Sequence, residues 1–141
     1  MDSLIFVAMF AGLYLYCIRT DGGLRAPLMM YVNDTPVDPS RIQRATSFTN
    51  RRVGLLNSPG LALDQGLLLD PATMVHTRGM PFPIDIVFLD RAGKVLAVTQ
   101  DVAPDVKRLK GPRGTRRILE LAAGAVGRAV TLQVGDRVEV R

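Results

Sequence analysis

His76, the chain's single histidine, opens the stretch His76 to Asp90, HTRGMPFPIDIVFLD, in which a polar cluster abuts a strand-like run carrying an embedded carboxylate. An imidazole is the side chain whose ordinary pKa lies near neutrality, so His76 is the candidate general acid or base, with Asp85 or Glu120 as the carboxylate that would orient it. Hydrolysis and isomerisation are the reactions open to such a pair. Other chemistry has less to stand on. A nucleophilic triad needs a serine or cysteine on a sharp turn, yet no GxSxG-like segment exists, and Thr77 would point to the opposite face of a strand from His76. A metal site would have to combine His76 with Asp85, Glu120 or Asp64 without a second imidazole or a thiolate, so no metal is assigned. Gly111 and Gly114 form no phosphate-cradling loop, and no cofactor is assigned.

The elements that would position these groups follow from periodicity. Ile84 to Leu89 reads as a strand, with Ile84, Ile86 and Phe88 on one face and Asp85, Val87 and Leu89 on the other. Both faces are largely apolar, so Asp85 requires a cation or several hydrogen-bond donors. Glu120, in Ile118-Leu119-Glu120-Leu121, shares a face with Ile118 and poses the same requirement. Arg51, Arg52, His76 and Arg78 are the candidate partners. Ion pairs that only specify the fold satisfy the same pattern.

With 141 residues, 48% of them apolar, the chain can bury one ordinary core. Leu28 to Val32 reads as a strand entering an Asn33-Asp34 turn, and Asp38-Pro39 as the start of a helix in which Ile42, Ala45 and Phe48 recur until Arg51-Arg52. Asn57 to Gly60 forms a loop, Gly66 to Leu69 a buried strand, and Asp70-Pro71 a turn. Asp90 to Gly93 is a hairpin turn joining Ile84–Leu89 to an antiparallel partner over Lys94 to Gln100. Further strands are expected over Arg117 to Leu121, Ala129 to Val134 and Arg137 to Val140. Such spacing predicts a mainly β fold, a small antiparallel β-sandwich or barrel with one short helix.

Ahead of it, Leu4 to Ile18 is a 15-residue apolar run without a charge. It is expected to form an apolar N-terminal helix, giving residues 1–25 as a separate segment and 26–141 as a single β-rich domain. A membrane spanning helix needs about 20 residues, and the two readings, anchor and buried element, stay open. Basic residues follow the run and none precedes it, which as an anchor would place the domain in the cytoplasm. Translation starting at Met29 or Met30 would instead leave a soluble cytoplasmic domain. A lone Cys17 excludes an internal disulfide framework.

The net charge of +5 is local: Lys107, Arg108, Lys110, Arg113, Arg116 and Arg117 fall in one acid-free segment. With Gly111, Pro112 and Gly114 among them, they are expected in a solvated loop that could meet phosphate, an acidic partner or anionic lipid. The segment has no aromatic residue for base stacking and no helix for a groove, so nucleic acid is not the expected partner.

From about Tyr31 to Val140 the chain resembles the bacterial and archaeal family called domain of unknown function 192. The matching features, in order, are Arg51 before Gly54-Leu55-Leu56, then Leu61, Gly66 to Leu69, Pro83 to Phe88 with its Asp90–Gly93 hairpin, Ile118 to Leu121 ending at Gly124, and Gly135-Asp136. Leu56 and Ser58 depart from the methionine and arginine frequent there. The resemblance implies a small, mainly β domain without an assigned activity, often behind a signal sequence or membrane segment. It matches Arg51, Asp85 and Glu120 as polar positions, which implies that Arg51 neutralises the carboxylates in a pocket between sheets with His76 at its entrance. The leading expectation is a non-enzymatic binding or accessory module holding a small polar ligand or peptide through Arg51, His76, Asp85 and Glu120. The alternatives are a small acid/base enzyme using His76, and a purely structural domain.

Overall fold

The computed structural model describes strand residues 6–10 and 13–17, then residues 27–45 and 60–141. The elements in chain order are β1 (Phe6–Phe10), β2 (Leu13–Cys17), β3 (Leu28–Val32), β4 (Thr35–Ala45), β5 (Gln65–Leu69), β6 (Met74–Val75), β7 (Ile84–Leu89), β8 (Val95–Val102), β9 (Leu109–Lys110), β10 (Arg117–Ala122), the short helix α1 (Ala125–Arg128) and β11 (Val138–Val140). Seven strands form one sheet in the order β11-β3-β4-β5-β10-β7-β8, while β1-β2 and β6-β9 form separate two-stranded sheets.

The main sheet is mixed rather than antiparallel, because β4 and β5 pair in parallel. Its two edges approach each other: Lys94 bridges Arg137, Val95 N–H donates to Asp136 O at 2.8 Å, and Val138 N–H donates to Gly93 O at 2.8 Å. A single bridge is no continuous ladder, so the expected barrel is replaced by a strongly wrapped open sheet. Apolar side chains fill both of its faces. One cluster gathers Met30, Ile42, Leu68, Val87, Leu89, Leu119, Leu121, Val95 and Val138 with Ala125 and Val126 of α1. The other gathers Leu67, Leu69, Ile84, Ile86, Phe88 and Ile118 with Val75 and Met80, and Leu109 of β9 packs against it. The β6-β9 ladder thus covers one face of the main sheet.

The helix expected from Asp38-Pro39 onward is instead β4. Asn33 and Asp34 both have positive φ, 49° and 68°, the conformation of a tight hairpin turn, and they fold β4 back onto β3. Between the pairs Leu28↔Ile42 and Met30↔Val37 the register shifts. This bulge breaks the period of two, so Pro39, Ile42 and Ala45 are the buried positions, and a bulged strand imitates helical spacing. Pro39 falls within the bulge, where no ladder bond is required of its missing N–H. Phe48, Arg51 and the Asn57 to Pro59 turn lie outside the described residues. Helical structure among the described residues is confined to α1, where Val126 and Gly127 depart from helical dihedrals.

The N-terminal helix is likewise corrected: within Leu4 to Ile18 the described residues form β1 and β2, paired antiparallel from Phe6↔Cys17 to Phe10↔Leu13. Phe6, Val7, Phe10, Tyr14 and Tyr16 favour strand, and Gly12 disfavours a continuous helix. No helix among the described residues is long and apolar enough to cross a membrane. The strand expected over Ala129 to Val134 reduces to a bridge between Val126 and Val130. Leu28–Val32 and Ile84–Leu89 keep their expected bounds, and Gly66–Leu69, Lys94–Gln100, Arg117–Leu121 and Arg137–Val140 shift by a residue or two.

Candidate functional site

Asp85 is completely buried, and its charge is met by backbone amides. Asp101 N–H donates to Oδ1 at 2.9 Å and Val126 N–H donates to Oδ2 at 3.0 Å. Local sequence explains both donors. β8 carries a bulge here, with Gln100 and Asp101 lying between the pairs Ile86↔Thr99 and Ile84↔Val102, and Asp101 takes a φ of 52°. That turn aims its amide at the carboxylate opposite. Gly124, at a φ of 83°, starts α1 and presents the Val126 amide. Gln100 Nε2 completes the arrangement by donating to Val126 O at 2.6 Å. Asp85 and Gln100 therefore hold both backbone groups of Val126, tying α1 to β7 and β8.

Glu120 is in a different environment. In the register it stands opposite Leu67 of β5 and Ile86 of β7, with Gln43 beyond Leu67 and Thr99 beyond Ile86. These five side chains form one row across the sheet. Glu120 is 4% exposed, and burial pushes its carboxyl up from the ordinary 4.5 to about 8. At neutral pH it is mostly uncharged.

His76 follows Val75 of β6 and is half-buried. Four buried side-chain polar atoms make no hydrogen bond among the described residues: Arg41 Nε, Arg44 Nε, His76 Nδ1 and Glu120 Oε2. The arginines have other support. Arg41 Nε sits 3.0 Å from Asp64 Oδ2, and an Arg44 terminal nitrogen donates to Val140 O at 3.2 Å. His76 Nδ1 and Glu120 Oε2 are the two atoms left without a bond among the described residues. Glu120 shares its face of the sheet with Ile86 and Ile118, against which Val75 of β6 packs, whereas His76, next to Val75, alternates away from that contact.

The four residues singled out in the sequence are thus divided. Asp85 shares its face with Val87 and Leu89 and stands opposite Leu121, whereas Glu120 projects from the other face. Arg51 lies outside the described residues. Among those residues, no group of three or more His, Cys, Asp or Glu side chains is arranged to hold a metal ion.

Thr77, which strand alternation sets aside as a nucleophile beside His76, has a structural role that alternation does not reveal. It is almost fully buried. Its Oγ1 donates to Ala103 O at 2.7 Å and accepts from Val106 N–H at 2.9 Å. Its backbone N–H donates to Val106 O at 2.9 Å, and its carbonyl accepts from Met80 and Asp105. Thr77 fixes the segment that carries His76 against residues 103–106.

A seven-stranded mixed sheet, covered on one face by a two-stranded ladder, defines a small, mainly β domain. Residues 30–140 match the model of DUF192, described as uncharacterized ACR, COG1430, and the chain belongs to that family. The fold is similar to that of a protein of unknown function from Novosphingobium aromaticivorans, with a TM-score of 0.70 and 22% identity over 86% of this chain and 89% of that one. It is also similar to a protein described as a candidate transcription regulator from Sinorhizobium meliloti, with a TM-score of 0.67 and 23% identity over 84% of this chain and 98% of that one. At such identities the likeness concerns the fold alone. Comparison with curated proteins finds no match.

Proposed function

We propose that the domain is a non-enzymatic binding module that recognises a small polar ligand or peptide on the Glu120 side of the sheet. The observation that carries this reading is Glu120 Oε2, buried and without a hydrogen bond among the described residues. Buried polar groups are nearly always bonded, and those that are not mark places where a partner is missing. A carboxyl held largely neutral by burial recognises by hydrogen bonding, as donor or acceptor, without a charge to compensate. The acid/base alternative requires a carboxylate oriented on the imidazole. Here Asp85 spends both oxygens on backbone amides, and His76 Nδ1 has no acceptor among the described residues.

The test is a thermal-shift screen of small polar compounds and short peptides on the full chain and three variants. A compound that raises the melting temperature of the parent is expected to lose its effect in Glu120→Leu, to be weakened in His76→Ala, and to be retained in Asp85→Asn at a lower baseline. A shift unchanged in Glu120→Leu would remove the proposed site. Turnover that disappears in a folded His76→Ala variant would replace the binding reading with the enzymatic one.

A further inference from the structure

The pairing of β6 with β9 brings together two stretches, residues 71–83 and 106–116, neither of which contains an acidic residue. Arg78, Lys107, Arg108, Lys110, Arg113 and Arg116 are all exposed on them. The ridge is built rather than loose. Beyond Met74↔Lys110 and Val75↔Leu109, Gly111 N–H donates to Thr73 O at 3.0 Å and Ala72 N–H donates to Arg116 O at 2.9 Å. Thr115 Oγ1 closes the tip by donating to Pro112 O at 2.7 Å, which presents Arg113 at the turn. Of the acids at its margins, Asp70 pairs with Arg117 at 3.4 Å, and Asp105 accepts the amide of Gly79, within the first stretch, at 3.0 Å.

Within this ridge Met74 is 44% exposed. It stands beside Lys110 in the ladder, and Arg108 Nε donates to its sulfur at 3.3 Å. We infer that the ridge formed by Met74, Lys107, Arg108, Lys110 and Arg113 is a docking surface for an anionic lipid bilayer. Positive charges around an exposed flexible apolar side chain match a headgroup layer, where the charges meet phosphates and the thioether enters the acyl boundary. The same ridge is poorly suited to nucleic acid, having no helix to enter a groove and no aromatic residue among 106–116 on which a base could stack. The uncharged run Leu4 to Ile18 in the same chain is a separate, charge-independent candidate for membrane contact, so the two contributions have to be measured apart.

The experiment is cosedimentation of the full chain with vesicles of phosphatidylcholine alone and with about 30 mol % phosphatidylglycerol, at low and physiological salt. Binding to the neutral vesicles reads the apolar run, and the increment on anionic vesicles reads the ridge. Each base near an anionic surface contributes roughly fivefold, so Arg108→Glu/Lys110→Glu/Arg113→Glu, which removes three bases and adds three acids, should lower affinity for anionic vesicles by at least about a hundredfold and abolish the increment. Arg91→Glu/Lys94→Glu/Arg128→Glu, with the same change in net charge, should stay within about threefold of the parent. Should the triple variant fail to fold by circular dichroism, Arg113→Glu alone, expected to weaken binding by at least about fivefold, carries the test. An increment that survives the ridge substitutions, or an equal loss in both triple variants, would overturn the inference. So would duplex DNA that displaces the protein from anionic vesicles through these same residues.

Discussion

Asp85 and Glu120 sit on adjacent strands of one sheet and project from opposite faces. Glu120 stands opposite Ile86, and Asp85 stands opposite Leu121. One sheet therefore holds two buried carboxyls in unlike environments, the first bonded to two backbone amides and the second unbonded at Oε2. Their environments separate accordingly, Asp85 securing α1 and the β8 bulge, Glu120 lying on the face that β6 and β9 cover.

Asp85→Asn should destabilise the fold by about 2 to 4 kcal/mol, because the new amide group must face either the Asp101 or the Val126 N–H, donor against donor. Urea denaturation gives the magnitude. Hydrogen exchange gives the location, with the Val126 and Asp101 amides losing protection ahead of the central strands; uniform loss across the sheet would show that the carboxylate does not act through α1 and the bulge.

Glu120 makes stability depend on pH in the direction opposite to an ordinary salt-bridged carboxylate. Its pKa rises on folding from 4.5 to about 8, so between these values the folded state holds the extra proton. The associated stability is present in full below 4.5 and is lost as pH rises through about 8, a change on the order of a few kcal/mol. Glu120→Gln retains a neutral hydrogen-bonding side chain and should flatten this decline. Denaturation midpoints at acidic and alkaline pH compare the two proteins, and parallel curves would place the titration elsewhere.

These separate roles were only partly legible in the sequence. Ile84 to Leu89 and Leu28 to Val32 were readable because alternation and a two-residue turn are local signals, and the need of Asp85 for donors followed from its apolar strand neighbours. That the donors are amides from a β8 bulge and from α1 depends on contacts between residues 85, 101 and 126, which no local pattern encodes. The faces of Asp85 and Glu120 were each deducible, but not the register between β7 and β10 that relates them. In β4 the bulge replaces a period of two with buried positions three apart, a spacing that reads as helical. The parallel β4-β5 pair needs a crossover, whose direction periodicity does not specify.

Thr77→Val tests the clamp beneath His76. Valine keeps the shape but loses the hydroxyl that serves Ala103 O and Val106 N–H, leaving two backbone groups near the core without that partner. A loss of about 2 kcal/mol is expected, read as a lower melting temperature. Ligand binding through His76 should weaken with it, whereas full stability would mean that water replaces the hydroxyl.

Gly66 lies where three strands crowd. A Cβ at this position would meet Ile42 Cδ1 at 2.6 Å and Leu121 Cδ2 at 2.9 Å, with the Glu120 carbonyl oxygen at 3.2 Å. Ile42 and Leu121 are both completely buried, so neither has free space into which to withdraw. Gly66→Ala should cost about 1 to 3 kcal/mol through overpacking, outweighing the gain that alanine brings in an ordinary strand. Ile42→Val removes the methyl group that forms the shorter contact. Alone it should destabilise by about 1 kcal/mol, yet in the Gly66→Ala background it should restore stability, so the pair is non-additive. A double-mutant cycle from urea denaturation measures that coupling. Simple additivity would show that the strain falls on the β5 backbone against the Glu120 carbonyl, where trimming Ile42 brings no relief.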